Sequence, residues 1–287
     1  MRFIILLLGA IVANPVIAEP PIPAAIYTDP IDDTAHPARM DVLHIPSGEV
    51  LINGVAYLAA GPGAHPTIII CHGLPGNEKN LDLAQAVRRA GWNAITFNYR
   101  GSWGSPGSFR FAQNPDDAAA VLAYIRNPAN AKTLGIDPAR IVLAGHSMGG
   151  WVAATTAARD TQLAGTILIS AANLGMGGRQ SRPDIIKRMA SNMESLAGTT
   201  PEAMADEVVT NADTNDFIRA AAQLAQKPLL VLSSDDGLAP HTDALIAAVR
   251  KNSGRYVTAI HVATDHSWSD RRIRLQTEVI KWLARLR

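Results

Sequence analysis

Gly145-His146-Ser147-Met148-Gly149 follows an apolar, β-branched run at residues 140–144 and precedes Gly150-Trp151-Val152-Ala153-Ala154, which reads as the start of a helix. A G-x-S-x-G pentapeptide in that strand-to-helix setting holds a serine on a tight turn with its hydroxyl exposed, the glycines letting strand and helix backbones approach. A chain of this glycine and serine content contains the pattern by chance roughly once in ten, so the flanking elements give it its weight. A serine hydroxyl is a poor nucleophile until a base takes its proton. Asp265-His266-Ser267-Trp268 lies in the loop after the last apolar run and offers His266 as that base. Ser233-Ser234-Asp235-Asp236-Gly237 follows the preceding run and offers an acid to orient it. Asp236 is preferred over Asp235 because Pro240 stands four residues on, as in a D-x-x-x-P continuation, but both carboxylates remain candidates. The resulting order Ser147, Asp236, His266 is that of one hydrolase architecture and differs from the chymotrypsin and subtilisin orders.

Attack on a carbonyl also needs donors for the developing negative charge. His72-Gly73-Leu74-Pro75-Gly76 comes directly after the apolar run 67–71. That placement assigns the oxyanion site to the backbone amides of Leu74 and Met148. His72 reads as a residue that shapes its loop by hydrogen bonding, and His146 as packing in the serine turn, since one base suffices. The remaining histidines lack metal-ligand spacing such as H-E-x-x-H, and the sequence calls for no metal or organic cofactor. Cys71, the single cysteine, reads as an apolar strand residue with no neighbouring group to activate a thiolate. Arg100 suits either a buried ion pair or a substrate carboxylate, with the ion pair preferred.

The elements that must position these groups are visible as alternating apolar runs and helical patterns, the signature of an α/β fold with a mostly parallel sheet covered on both faces. Strands are expected at 41–45, 50–58, 67–71, 93–98, 140–144, 166–170, 228–233 and 255–261, the first two as an antiparallel lead-in. Thr67-Ile68-Ile69-Ile70-Cys71 is apolar without alternation, as a strand buried on both faces must be. Helices are expected at 81–90, 116–126, 147–159, 241–250 and 270–286. The stretch between the strands ending at Ser170 and starting at Pro228 is far longer than a crossover needs. Pro183 and Pro201 stand at helix-start positions there, and Ile185, Ile186, Met189, Met193 and Leu196 share one helical period. This predicts a small helical cap at about 173–227. Its methionines serve either a lid over substrate or ordinary core packing.

The chain has 287 residues, 47% of them hydrophobic and 18% charged, with 26 Lys plus Arg against 25 Asp plus Glu. That composition excludes a disordered, collagen-like or nucleic-acid-coating protein and suggests no charge-driven partner. Residues 1–18 carry one positive charge, Arg2, then an apolar run and Val16-Ile17-Ala18, and so read as a signal peptide. The run is too short to span a bilayer. A periplasmic or secreted protein without a membrane span in its mature form is therefore expected. Residues 19–39, rich in proline, read as an extended arm leading into a hydrolase domain at 40–287.

The HGLPGN loop, the stretch from Asn98 to Phe109, the GHSMGG turn and the DHSWSD loop together resemble the α/β-hydrolase superfamily, particularly bacterial prolyl-oligopeptidase-like and dienelactone-hydrolase-like members. The resemblance covers roughly residues 40–287. It implies a serine hydrolase with Ser147 as nucleophile, His266 as general base and Asp236 as the orienting acid. The SSDDG segment departs from the longer turn of many relatives and bears on the choice of acid. Carboxylic esters are the expected substrates, because nothing in this chain supplies the large gating domain of prolyl-oligopeptidase-like peptidases. A serine peptidase acting on short peptides is the alternative. A ligand-binding protein on a hydrolase scaffold is a third reading, which tight binding without product would mark. The small-molecule or short-peptide substrate would be met outside the cytoplasm.

Overall fold

In the computed structural model, which describes residues 20–286, eight strands form one sheet. They are β1 (Arg39–Ser47), β2 (Val50–Leu58), β3 (His65–Cys71), β4 (Asn93–Phe97), β5 (Ile136–His146), β6 (Gly165–Ile169), β7 (Leu229–Ser233) and β8 (Val257–His261). Their spatial order is β1-β2-β4-β3-β5-β6-β7-β8. β1 and β2 form an antiparallel hairpin, β2 joins β4 antiparallel, and all pairings beyond are parallel. All eight expected strands are present, within a few residues of their expected bounds.

The helices are α1 (Leu81–Arg89), α2 (Asn114–Arg126), α3 (Pro128–Leu134), α4 (Met148–Ala157), α5 (Leu174–Gly178), α6 (Arg182–Ala190), α7 (Pro201–Thr210), α8 (Ala221–Leu224), α9 (Ala239–Lys251) and α10 (Arg272–Leu283). The central strands separate two cores. Ile68 and Ile70 of β3 and Val142 and Ala144 of β5 pack in one with α1 and α10; Ile69, Leu143 and Leu168 pack in the other with α2, α4 and α9. Period-two side chains that meet an apolar layer on either face leave no polar position, which is why these strands read as unbroken apolar runs.

Between β6 and β7 the chain builds α5 to α8 and a short 3-10 turn at Phe217–Ala220. Ser181 and Thr200 cap α6 and α7 by accepting from Asp184 N and Ala203 N, with proline in the first turn of each. The single helical period expected across 185–196 is broken. α6 ends at Ala190, and the following residues instead pair with the loop after β4: Trp103 N donates to Ser195 O and Ala197 N to Gly101 O. α3 is unexpected from the sequence, although Asn127 before Pro128 is a helix-start signal, its side chain accepting from Ala129 N and Asn130 N.

The segment before β1 holds one 3-10 turn, Ala24–Ile26, tied to α1 because Arg89 donates to the carbonyls of Ala25 and Ile26. The proposed signal peptide, residues 1–18, lies outside the described residues. No helix among the described residues is long and apolar enough to cross a membrane.

Candidate active site

β5 runs directly into α4 through Ser147, whose φ of 56° and ψ of −123° lie outside the regions L residues ordinarily occupy. Such a conformation costs about 1–3 kcal/mol and persists only where surrounding contacts impose it. The contacts here are backbone to backbone. A Cβ on Gly145 would collide with the carbonyl of Gly149, and one on Gly149 with the carbonyl of Cys71 in β3. The turn is held by Ser147 N donating to Ile169 O and by Ala172 N donating to Ser147 O, at 3.0 and 2.9 Å.

Asp236 and His266 arrive from the carboxyl ends of β7 and β8, where ligand sites of open α/β sheets form. His266 Nδ1 donates to Asp236 Oδ2 at 2.7 Å. With Nδ1 protonated, the neutral ring keeps its lone pair on Nε2. The Asp236 side chain is 3% exposed, against 40% for His266. Burial alone would raise the Asp236 pKa, but hydrogen bonds from His266 and from the Leu238 amide outweigh it and hold the carboxyl at about 2. Asp235 turns away and accepts from His261 Nε2 at the surface. Of the two acids left open by the sequence, the one beside His266 is Asp236.

Ser147, His266, Leu74 and Met148 line one cavity of about 230 Å³. Neither the Leu74 nor the Met148 amide donates a hydrogen bond within the described residues, which leaves both free for a ligand oxygen. The Met148 amide belongs to the first turn of α4, where N–H groups have no intrahelical partner and the helix dipole favours negative charge. Leu174, Met189, Val208 and Leu238 add an apolar wall from the segment between β6 and β7 and from the start of α9. A second recess of about 190 Å³, lined by Gly76, Asn77, Glu78 and Ser267, lies on another side of Ser147 and His266.

His72 and His146 are buried beside these groups, and burial lowers each ring's pKa to about 4. His72 Nδ1 donates to Gly73 O at 2.7 Å, and its carbonyl accepts from Tyr99 Oη. His146 does more than pack the turn: its Nε2 donates to the carbonyl of His266. Arg100 is committed to Asp117 at 2.6 Å, the carboxylate being fully buried. Burial pushes the Cys71 thiol up to about 12, leaving it protonated. Trp268, also fully buried, donates from Nε1 to Ser170 Oγ, which is bonded to Ser234 Oγ at 2.7 Å. That chain joins the histidine loop to the ends of β6 and β7. The sequence carries no signal for it beyond a tryptophan two residues after His266.

A mostly parallel eight-stranded sheet with a strained serine between β5 and α4 defines an α/β hydrolase. The model of the alpha/beta hydrolase family matches residues 68–283, and the chain belongs to that family. Among curated proteins it is 32% identical over 136 residues to the quorum-quenching protein AidA of Acinetobacter baumannii, covering 45% of this chain and 43% of that one. The chain spans less than half the length of the curated relatives it matches first. Among solved structures an esterase of Pyrobaculum calidifontis superposes with a TM-score of 0.68 at 18% identity, over 86% of both chains. The acylaminoacyl peptidase of Pyrococcus horikoshii gives 0.63 at 15% identity, over 86% of this chain and 41% of that one.

Proposed function

We propose that the protein is an exported serine hydrolase that cleaves a carboxylic ester through an acyl-enzyme. The observation that carries this reading is the convergence on one cavity of a strained serine, two unengaged amides and a histidine bonded to a buried carboxylate. Ser147 Oγ attacks the ester carbonyl carbon while its proton passes to His266 Nε2. The carbonyl oxygen, now negatively charged, is held by the Leu74 and Met148 amides. His266 then gives the proton to the departing alkoxide, and the acyl group remains on Ser147. Water, deprotonated by the same nitrogen, attacks the acyl carbon; the acid leaves and Ser147 recovers its proton. Asp236 stays ionised throughout and holds Nδ1–H in place.

Superposition over 86% of an esterase chain, against 41% of a peptidase chain, supports esters over peptide amides. Labelling with a fluorophosphonate probe tests the reading. One adduct mapped to Ser147 and absent in Ser147→Ala is expected; a correctly folded protein that takes no label would overturn it. A parallel panel of esters and peptide amides separates esterase from peptidase, amide turnover at comparable kcat/KM favouring the latter. Export is tested by the mass of the mature chain in a periplasmic or secreted fraction, expected to begin at Glu19.

A further inference from the structure

Among the described residues, the lining of the 230 Å³ cavity beside Ser147 includes no carboxylate and one permanent cation. That cation is Arg188, in the last turn of α6, which shares the cavity wall with Gln180 and Asn192. The other basic group there besides His266 is His241, whose pKa is lowered by burial despite the charges of Asp216 and Asp236. Among the described residues Arg188 makes no ion pair. Its guanidinium donates one hydrogen bond, from Nη1 to Gln180 Oε1 at 2.7 Å. Two other arginines of the same segment are paired, Arg179 with Asp213 and Asp216 and Arg182 with Asp206, while Arg219 is exposed and does not line the cavity. A guanidinium with free donors in a fixed fork is matched to a carboxylate.

We propose that Arg188 forms an anion-binding end of this cavity, so that the part of the substrate filling it carries a carboxylate beyond a short apolar spacer. This rests on the reading of Ser147 as the nucleophile. Leu74, Met148, Leu174 and Met189 line the space that the spacer would occupy. Its volume of about 230 Å³ falls below the ~300–1,000 Å³ of sites that take drug-sized ligands, so the spacer held inside it is short. Gln180 and Arg188 are exposed, so the carboxylate is bound at the mouth of the cavity and stays partly hydrated. The interaction is therefore of the modest, salt-sensitive kind.

The test compares the mono-para-nitrophenyl ester of glutaric acid with its neutral methyl diester, and a second pair in which the carboxylate lies on the alcohol side. In at least one pair the free carboxylate is expected to have the higher kcat/KM. Arg188→Gln is expected to lower that preference about twofold to fivefold, chiefly through KM, and the wild-type preference is expected to shrink as salt rises. Arg182→Gln, which removes a cation of the same helix outside the cavity, should leave the preference unchanged. Equal rates on acid and methyl ester in both pairs, or a preference that survives Arg188→Gln, would overturn the proposal. A basic residue in the last turn of a helix also complements the helix dipole. If that is the only role of Arg188, the variant lowers Tm without moving the preference, and the proposal fails. Calorimetric titration of the protein with glutarate and with neutral glutaramide decides the matter independently of turnover. If Ser147 takes no probe and no rates can be compared, binding of glutarate but not glutaramide, lost in Arg188→Gln, would uphold the anion site, and absence of glutarate binding would sink it.

Discussion

His146 Nε2 donates to the main-chain carbonyl of His266 at 2.8 Å, and the two rings lie 4.7 Å apart at a tilt of 41°. A carbonyl can only accept, so the proton on His146 is on Nε2. The residue before the proposed nucleophile therefore anchors the backbone of the proposed base. Because β5 carries both His146 and the turn at Ser147, one strand end positions both partners of the proposed proton transfer.

Removing that anchor should loosen His266 without removing any reacting group. His146→Ala is expected to lower kcat on an ester substrate by about ten- to a hundredfold with little change in KM, as small misplacements of catalytic groups do. His146→Gln, which keeps an N–H donor, should recover part of the loss. An unchanged kcat in both variants would reduce His146 to packing.

His72 and His146 also set how the fold responds to acid. Each is held neutral by burial, with a pKa of about 4 against an ordinary 6.5. Below pH 6.5 the unfolded chain takes up protons that the native rings refuse, so stability falls with pH from about 6.5 and levels off near 4. The cost is about 3 kcal/mol per ring, a large share of the ~5–15 kcal/mol available to a folded domain. Urea unfolding between pH 7 and 4 should show a slope approaching two protons, and His72→Asn or His146→Asn should reduce it by about one. A flat stability profile would contradict the burial of these rings.

Asp236 behaves in the opposite sense. Its pKa of about 2 lies below the ordinary 3.8, so its contribution to stability is complete above about pH 4 and is lost as pH falls through 2. It does not titrate where histidines do. Asp236→Asn should leave Ser147 in place while lowering kcat on the order of 10³–10⁴-fold through the wrong His266 tautomer. The same variant of Asp235, which faces His261 at the surface, should be nearly silent. Equal losses in the two variants would reopen the choice of acid.

The strands and the three loops bearing Ser147, Asp236 and His266 were legible because their signals are local. Ile68, Ile69, Ile70 and Cys71 are apolar in a row since alternate residues enter two cores, and each chemical group sits directly after such a run. What was not legible depends on partners far along the chain. Met193 and Leu196 continue the period of α6, yet Ser102 bridges to Leu196 and the chain leaves the helix; a long-range backbone pairing prevails over a local pattern. Arg188 acquires its place only once α6 is laid beside the serine turn. The bond from His146 to His266 spans 120 residues, a relation no spacing rule reports.

The histidine loop has a second anchor, and it can be cut by one atom. Trp268 has a φ of 59° and is fully buried, with Nε1 donating to Ser170 Oγ at 3.0 Å. Trp268→Phe keeps an aromatic ring in the same core but removes the donor, leaving the buried Ser170–Ser234 pair one hydrogen bond short. The lost hydrogen bond is expected to cost about 1–3 kcal/mol, on top of the cavity left by the smaller ring, and kcat should fall with it, since the loop two residues back carries His266. Ser170→Ala removes the acceptor and should leave the indole N–H unpaired at a similar cost. In the double variant Trp268→Phe/Ser170→Ala the two losses should be less than additive, because both report one bond. Strict additivity in urea denaturation would show that the bond does not tie the loop to β6.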